Sequence, residues 1–160
     1  MPAGIQSMNG DKPFERIIKD LYFLYLFVFN QSIPLKPSIR GDFGEWVALK
    51  MLKKKGFHCI HRNWRSCSDR RMEIDLICVD RRCLVFVEVR SRSVGSMVNG
   101  WQSLKKQKLK SLRRACNLYL FESKKDFNNH RLDVVEVDIP TKTNKKIVSF
   151  HHENIAILKT

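Results

Sequence analysis

Residues 72–92 alternate between apolar and polar side chains with a period of two. Ile74, Leu76 and Cys78 alternate with Glu73, Asp75 and Ile77; Val85, Val87 and Val89 alternate with Phe86, Glu88 and Arg90. Period-two runs rich in β-branched residues predict two strands, and the short polar stretch Asp80-Arg81-Arg82-Cys83 predicts a hairpin between them. Whether the loop is Arg81-Arg82 alone or all four residues, the pairing is the same: Asp75 is expected opposite Glu88, and Glu73 opposite Arg90. The four polar side chains then share one face of the hairpin, with the Val/Ile/Leu set on the other. Opposed carboxylates repel, and a divalent cation between them is the simplest remedy.

The remaining pattern predicts an α/β protein. Residues 41–55 read as a helix that Gly56 ends in the C′ position. Glu45 lies on its inward stripe with Ala48, Leu49 and Leu52, either as a paired or cation-binding acid or as a helix-start acid at the core edge. Residues 57–64 read as a strand, 65–71 as a basic loop, and 91–100 as a loop punctuated by Gly95 and Gly100. A second helix is expected over 103–121, with a stripe at Leu112, Ala115, Cys116 and Tyr119 and with Lys108 on the stripe side. Strands over 131–138 and 146–150 form a second predicted hairpin, and 153–158 are a short element of undetermined type. The order is α-β-β-β-α-β-β.

An N-terminal extension precedes this pattern. Residues 21–29 are nine apolar residues without interruption, where a membrane-spanning helix needs about 20. A secretory signal is disfavoured because Asp11, Glu15 and Asp20 dilute the flanking bases and no A-x-A site follows. Three readings remain for 21–29: a helix docked on the core, a contact with a partner or a membrane surface, or sequence upstream of the true start. Pro34 and Pro37 are read as a linker, so 1–38 are expected to be an extension, removable without unfolding the domain over 39–160.

Charge narrows the function. The chain carries 30 Lys+Arg against 16 Asp+Glu, a formal +14. Only +1 of this falls on residues 1–38 (four bases, three acids), leaving +13 on 39–160. So basic a domain points to a polyanion, either nucleic acid or an anionic membrane surface. Residues 103–114 hold six Lys/Arg and no acid. The five cysteines, Cys59, Cys67, Cys78, Cys83 and Cys116, form no C-x-x-C pair, which disfavours a zinc site and fits a reducing, cytoplasmic setting.

Glu45, Asp75 and Glu88, with a cation at Arg90, form a set suited to metal-assisted phosphodiester hydrolysis. Asp75 and Glu88 offer oxygen ligands for Mg²⁺ or Mn²⁺, with the Val89 carbonyl nearby and Glu45 completing the ligand set or orienting water. Arg90 can neutralise charge on the phosphate. Asp75 and Glu88-Val89-Arg90 resemble the PD-(D/E)xK nuclease signature. They stand within stretches that resemble the YraN-like family of bacterial proteins, itself similar to archaeal Holliday-junction resolvases. The matching stretches are Gly41-x-x-Gly44-Glu45-x-x-Ala48, Arg62-Asn63-Trp64-Arg65, Glu73-Ile-Asp75-Leu-Ile77, Val85-Phe-Val-Glu88-Val-Arg90-Ser-Arg92, 108–120, and Arg131-Leu-Asp133-Val-Val135.

The resemblance implies a restriction-endonuclease-like core, a mixed central sheet flanked by helices, and Mg²⁺-dependent cleavage of DNA. Two departures stand out: Arg90 where the superfamily usually has Lys, and Met72 where a glycine usually precedes Glu73. Arg65, Arg92, Lys105, Lys106 and Lys108 are the expected nucleic-acid contacts. Glu73–Arg90 could also be a simple ion pair, Asp133 a structural acid, Lys108 an edge residue, and Trp64 and Trp101 packing residues rather than base-stacking ones. A nucleic-acid-binding protein without catalysis is the competing function, and a membrane-surface or protein-interaction module acting through 21–29 is the third. A homodimer would suit a junction substrate.

Overall fold

A computed structural model describes residues 13–29, 36–93, 104–123, 127, 129–140 and 146–155. The elements are α1 (Pro13–Val28), α2 (Pro37–Lys54), β1 (His58–Arg65), β2 (Glu73–Asp80), β3 (Cys83–Ser93), α3 (Lys106–Ser123), β4 (His130–Ile139) and β5 (Val148–His152). The order matches the expected α/β pattern behind an N-terminal helix. Five strands lie in one sheet in the order β1-β2-β3-β4-β5. All neighbours are antiparallel except β3 and β4, which run parallel with α3 as the crossover between them.

The sheet is covered on both sides. Leu76, Cys78, Val85, Val87, Val135 and Val137 pack under α2 against Phe43, Val47 and Leu52. Ile77, Leu84, Phe86 and Leu132 pack under α3 against Leu112, Ala115, Cys116 and Tyr119. This explains the near-continuous apolar run in β3: a central strand buried on both faces has no polar side to show. Asp133 is a structural acid. It is fully buried, accepts from Arg131 Nε at 3.0 Å and from the Asn154 backbone N–H at 2.8 Å, and lies 2.9 Å from His151 Nε2. Arg131 also donates to Asp80, so this network ties β5 to β4 and to the β2–β3 turn.

Several boundaries differ from expectation: α3 starts three residues late and β5 is shifted by two, and two further differences bear on the site. α2 begins at Pro37, not Gly41, because proline preset near helical φ fits the first helical position, where its missing N–H costs nothing. Pro37 is therefore part of α2 rather than of a linker; Pro34 lies outside the described residues. β3 continues through Ser93, into the stretch expected as loop.

α1 is docked on α2. Phe23 and Leu26 are buried, and the Phe23 ring meets Phe43 edge-on at 5.3 Å. Lys19 pairs with Asp42 at 2.6 Å. The outward side keeps Ile17, Leu21 and Val28 exposed. No helix among the described residues is long and apolar enough to cross a membrane.

Candidate functional site

The site forms where β2 and β3 part. Their ladder runs from Asp80↔Cys83, beside the two-residue turn at Arg81-Arg82, to Leu76↔Val87. The register is the expected one, but the paired ladder stops short of Asp75 and Glu88. Instead Asp75 Oδ2 accepts the Val89 backbone N–H at 2.7 Å, so a side-chain oxygen stands in for a ladder carbonyl. The face alternation slips here as well: Ile74 packs on the α3 side, although Leu76, two residues on, packs on the α2 side. Glu73 therefore does not meet Arg90 across the hairpin. It pairs with Arg65 of β1 at 2.8 Å, the residue opposite it in the β1–β2 register.

Parting the strands opens a cleft of about 330 Å³, lined by Arg40, Gly41 and Glu45 of α2, Asp75 of β2, and Glu88, Val89, Arg90 and Ser91 of β3. All four residues expected to be catalytic meet on this one wall. Helix α2 comes this close to β3 because Gly44 has no side chain; a Cβ there would collide with Ser91 Oγ.

The three acids are all held away from their ordinary ionisation. Burial, with Asp42 adding to it, raises Glu45 to about 7 against a hydrogen bond from Asn63. Burial and the neighbouring Glu88 charge push Asp75 well above the carboxylate range, against the Val89 N–H. Burial also raises Glu88, opposed by the Lys108 ammonium. Glu88 is 3% exposed. Its Oε1 lies 3.0 Å from Lys108 Nζ and 3.9 Å from Arg90 Nη1, while its Oε2 is buried without a hydrogen-bond partner among the described residues.

The cations expected at nucleic acid are placed unequally. Lys105 and Lys106 are exposed at the start of α3. Arg65 is half exposed beside Glu73. Arg92 is engaged by two acids of β4, Asp138 at 2.6 Å and Glu136 at 3.1 Å. Trp64 packs edge-on against Tyr119 at 5.2 Å, a core contact, and Trp101 lies outside the described residues. Among the described residues no three Asp, Glu, His or Cys side chains form a ready metal cage.

Sequence reasoning passed over Asn63. It takes a left-handed φ of 49° within β1, a conformation asparagine tolerates better than most residues, and bonds Glu45. Its signal was the Arg62-Asn63-Trp64-Arg65 stretch, a polar amide inside a strand pattern. Gly44 was visible only as part of a motif; its steric role needs the β3 neighbour.

The model of the uncharacterised protein family UPF0102 matches residues 44–137, which contain Glu45, Asp75, Glu88, Arg90 and Lys108 but not α1. A UPF0102 protein of Chlorobium phaeobacteroides is 35% identical over 119 residues, covering 74% of this chain and 92% of the relative. One of Lawsonia intracellularis is 36% identical over 115 residues, covering 72% and 83%. One of Marinomonas is 38% identical over 102 residues, covering 64% and 78%. With the match spanning more than half of the sequence and all three acids of the cleft inside it, the chain belongs to the family UPF0102, the YraN-like family.

Proposed function

We propose that the cleft is the centre of a Mg²⁺- or Mn²⁺-dependent endonuclease, resolvase-like in substrate, that hydrolyses phosphodiester bonds in DNA. The observation that carries this reading is the pair of acids at the parted strands: Glu88 is buried with one oxygen unpartnered among the described residues, and Asp75 beside it is fixed by a backbone N–H. A buried carboxylate oxygen without a partner costs free energy, and two adjacent buried acids are a pair that a divalent cation fits. Asp75 and Glu88 would hold it, with the Val89 carbonyl and Glu45 on the same wall. When bound, it supplies Lewis acidity toward a phosphate oxygen and a more acidic water. Asp75 keeps its orientation through Val89. Glu45, braced by Asn63, orients water by hydrogen bonding. Arg90, 44% exposed on the cleft wall, binds a phosphate oxygen. The +13 on residues 39–160 supports DNA as the polyanion.

A second reading, a DNA-binding module that kept a nuclease-like fold, is favoured by Arg90 in the usual Lys position and by a ligand set that stops at two close acids. A cleavage screen separates the two, using Mg²⁺ or Mn²⁺ over duplex, single-stranded, flap and four-way DNA with wild type and Asp75→Asn. Cleavage by wild type alone is the expected result. If wild type cuts none of them, and calorimetry finds no Mg²⁺ or Mn²⁺ binding that depends on Asp75, the binding module is the correct reading.

A further inference from the structure

Glu88 has two cations in reach, and they differ. Arg90 sits on the same strand two residues on, where the nuclease signature puts its lysine, but its nearest nitrogen is 3.9 Å from Glu88 Oε1 and its side chain is 44% exposed. Lys108 comes from a different element, the first turn of α3, and its ammonium is at hydrogen-bond distance, 3.0 Å, from the same oxygen. An ammonium has three donors, and Glu88 Oε1 occupies one. Glu88 is the acid that pairs with Lys108 among the described residues, which leaves two donors for a ligand brought to the acid wall. The field of Lys108 also reaches Asp75, so this one charge acts on both acids of the pair.

We propose that Lys108, supplied by α3, is the cation that meets the scissile phosphate during turnover, while Arg90 serves phosphate binding in the ground state. This rests on the hydrolytic reading above and divides the labour within it. In the reaction a water oxygen forms a bond to phosphorus, and the bond from phosphorus to the leaving oxygen breaks. One water proton goes to solvent, and the leaving oxygen takes one up. Lys108 stays protonated throughout and transfers no proton; it donates a hydrogen bond to a non-bridging oxygen as charge builds there. Glu88 fixes where that donor stands, which explains why an acid so buried carries a lysine from another element. The competing account is an ion pair that only holds α3 to the sheet.

The two accounts separate in kinetics. Full-length wild type, Lys108→Gln, Lys108→Met and Arg90→Ala are compared by single-turnover cleavage of the best substrate from the screen, by DNA affinity in EDTA, and by thermal melting. For Lys108→Gln and Lys108→Met, the cleavage rate should fall by about 10²–10³-fold, the scale of losing one preorganised donor, with DNA affinity changed less than about 3-fold. Arg90→Ala should show the reverse weighting, with affinity falling more than rate. In the Lys108→Gln background, Arg90→Lys should recover at least about 10-fold in rate, because a flexible ammonium on the strand can reach the same phosphate. Lys108→Gln keeps a polar donor facing Glu88, so it is the variant to read if Lys108→Met melts early. Cleavage by Lys108→Gln within a few-fold of wild type overturns the assignment while leaving the hydrolytic reading intact. So does a rate loss that only tracks a collapsed melting temperature. A wild type that cleaves nothing overturns the hydrolytic reading itself, and this assignment with it.

Discussion

Asp75 accepts the backbone N–H of Val89 at 2.7 Å, where the next rung of the β2–β3 ladder would lie. One short side chain thereby ends the strand pairing and places its own carboxylate against Glu88. The arrangement sacrifices stability for a site. Both acids are raised by burial, and Asp75 also by the Glu88 charge. A carboxyl raised on folding leaves its stability intact below the unfolded value, near 3.8 for Asp75, and loses it as pH rises through the folded value. Asp75→Asn, which can still accept the Val89 N–H, should therefore melt higher than wild type at neutral pH without metal. A gain of about 1 kcal/mol corresponds to roughly 2–4 °C at this size. The gain should shrink as pH falls toward 4. A lower melting temperature for Asp75→Asn at pH 7.5 in EDTA would show that the charge is not destabilising.

Gly44 sets how close α2 lies to the cleft. Its missing Cβ is the space that Ser91 Oγ fills. Gly44→Ala should cost about 1–3 kcal/mol, the usual range for overpacking, despite alanine's better helix propensity. Adding Ser91→Gly should return most of that loss, because the colliding side chain is then gone. Denaturant melts of the two single variants and the double variant test this. Strict additivity would place the conflict elsewhere.

Much of the fold was legible because its signals are local. The alternation in β2 and β3, the two-residue Arg81-Arg82 turn and the Leu112–Tyr119 stripe each depend on neighbours in sequence. The meeting of Glu45, Asp75, Glu88 and Arg90 followed from one assumed register and one helix stripe, and the cleft holds all four. What was not legible depends on neighbours in space. Regular alternation puts Glu73 against Arg90, and nothing in the string says that Asp75 will break the ladder and leave Glu73 to Arg65. Arg92 reads as a free cation until β4 is laid parallel beside it, with Asp138 opposite. Lys108 reads equally as a phosphate contact or an edge lysine until α3 is carried across the sheet to Glu88.

α1 lies outside the family match yet covers Phe43 and Trp46. Since α2 begins at Pro37, a deletion that spares the domain has to end before Lys36 rather than at 38. Removing 1–35 should keep a single cooperative melt at a lower temperature. Phe23→Ala can lose no more than the whole docking energy of α1, so its melt should fall between wild type and the deletion. A Phe23→Ala melt below that of the deletion would mean that α1 holds up more than its own contact.

The exposed Lys105 and Lys106 at the head of α3, with +13 on residues 39–160, predict phosphate-dominated DNA binding. Log affinity should fall linearly with log salt, at about 0.9 per phosphate neutralised. Lys105→Ala with Lys106→Ala should flatten that slope by roughly 1–2 and weaken different sequences alike. An unchanged slope would remove these two lysines from the interface.

The metal reading predicts a reversal in sign. Without a divalent ion, Asp75→Asn should be the more stable protein. Mg²⁺ or Mn²⁺ that binds only the folded wild type adds stability as RT ln(1 + [L]/Kd), about 1.4 kcal/mol at ten times Kd, or roughly 3–6 °C. Asp75→Asn and Glu88→Gln have each lost one of the two closest ligands and should gain little, so their order relative to wild type should invert as the ion is added. EDTA should restore the original order. Glu45→Gln, altered at the third acid of the wall, should keep a reduced response. Binding should also release protons, because burial and the Glu88 charge hold Asp75 well above the carboxylate range in the free protein and it must ionise to ligate; affinity should therefore rise with pH. Calorimetry in two buffers of different ionisation enthalpy measures that release directly. An equal Mg²⁺ response in wild type and in both ligand variants, with no proton release, would mean that the ion binds elsewhere and that the two acids do not form its site.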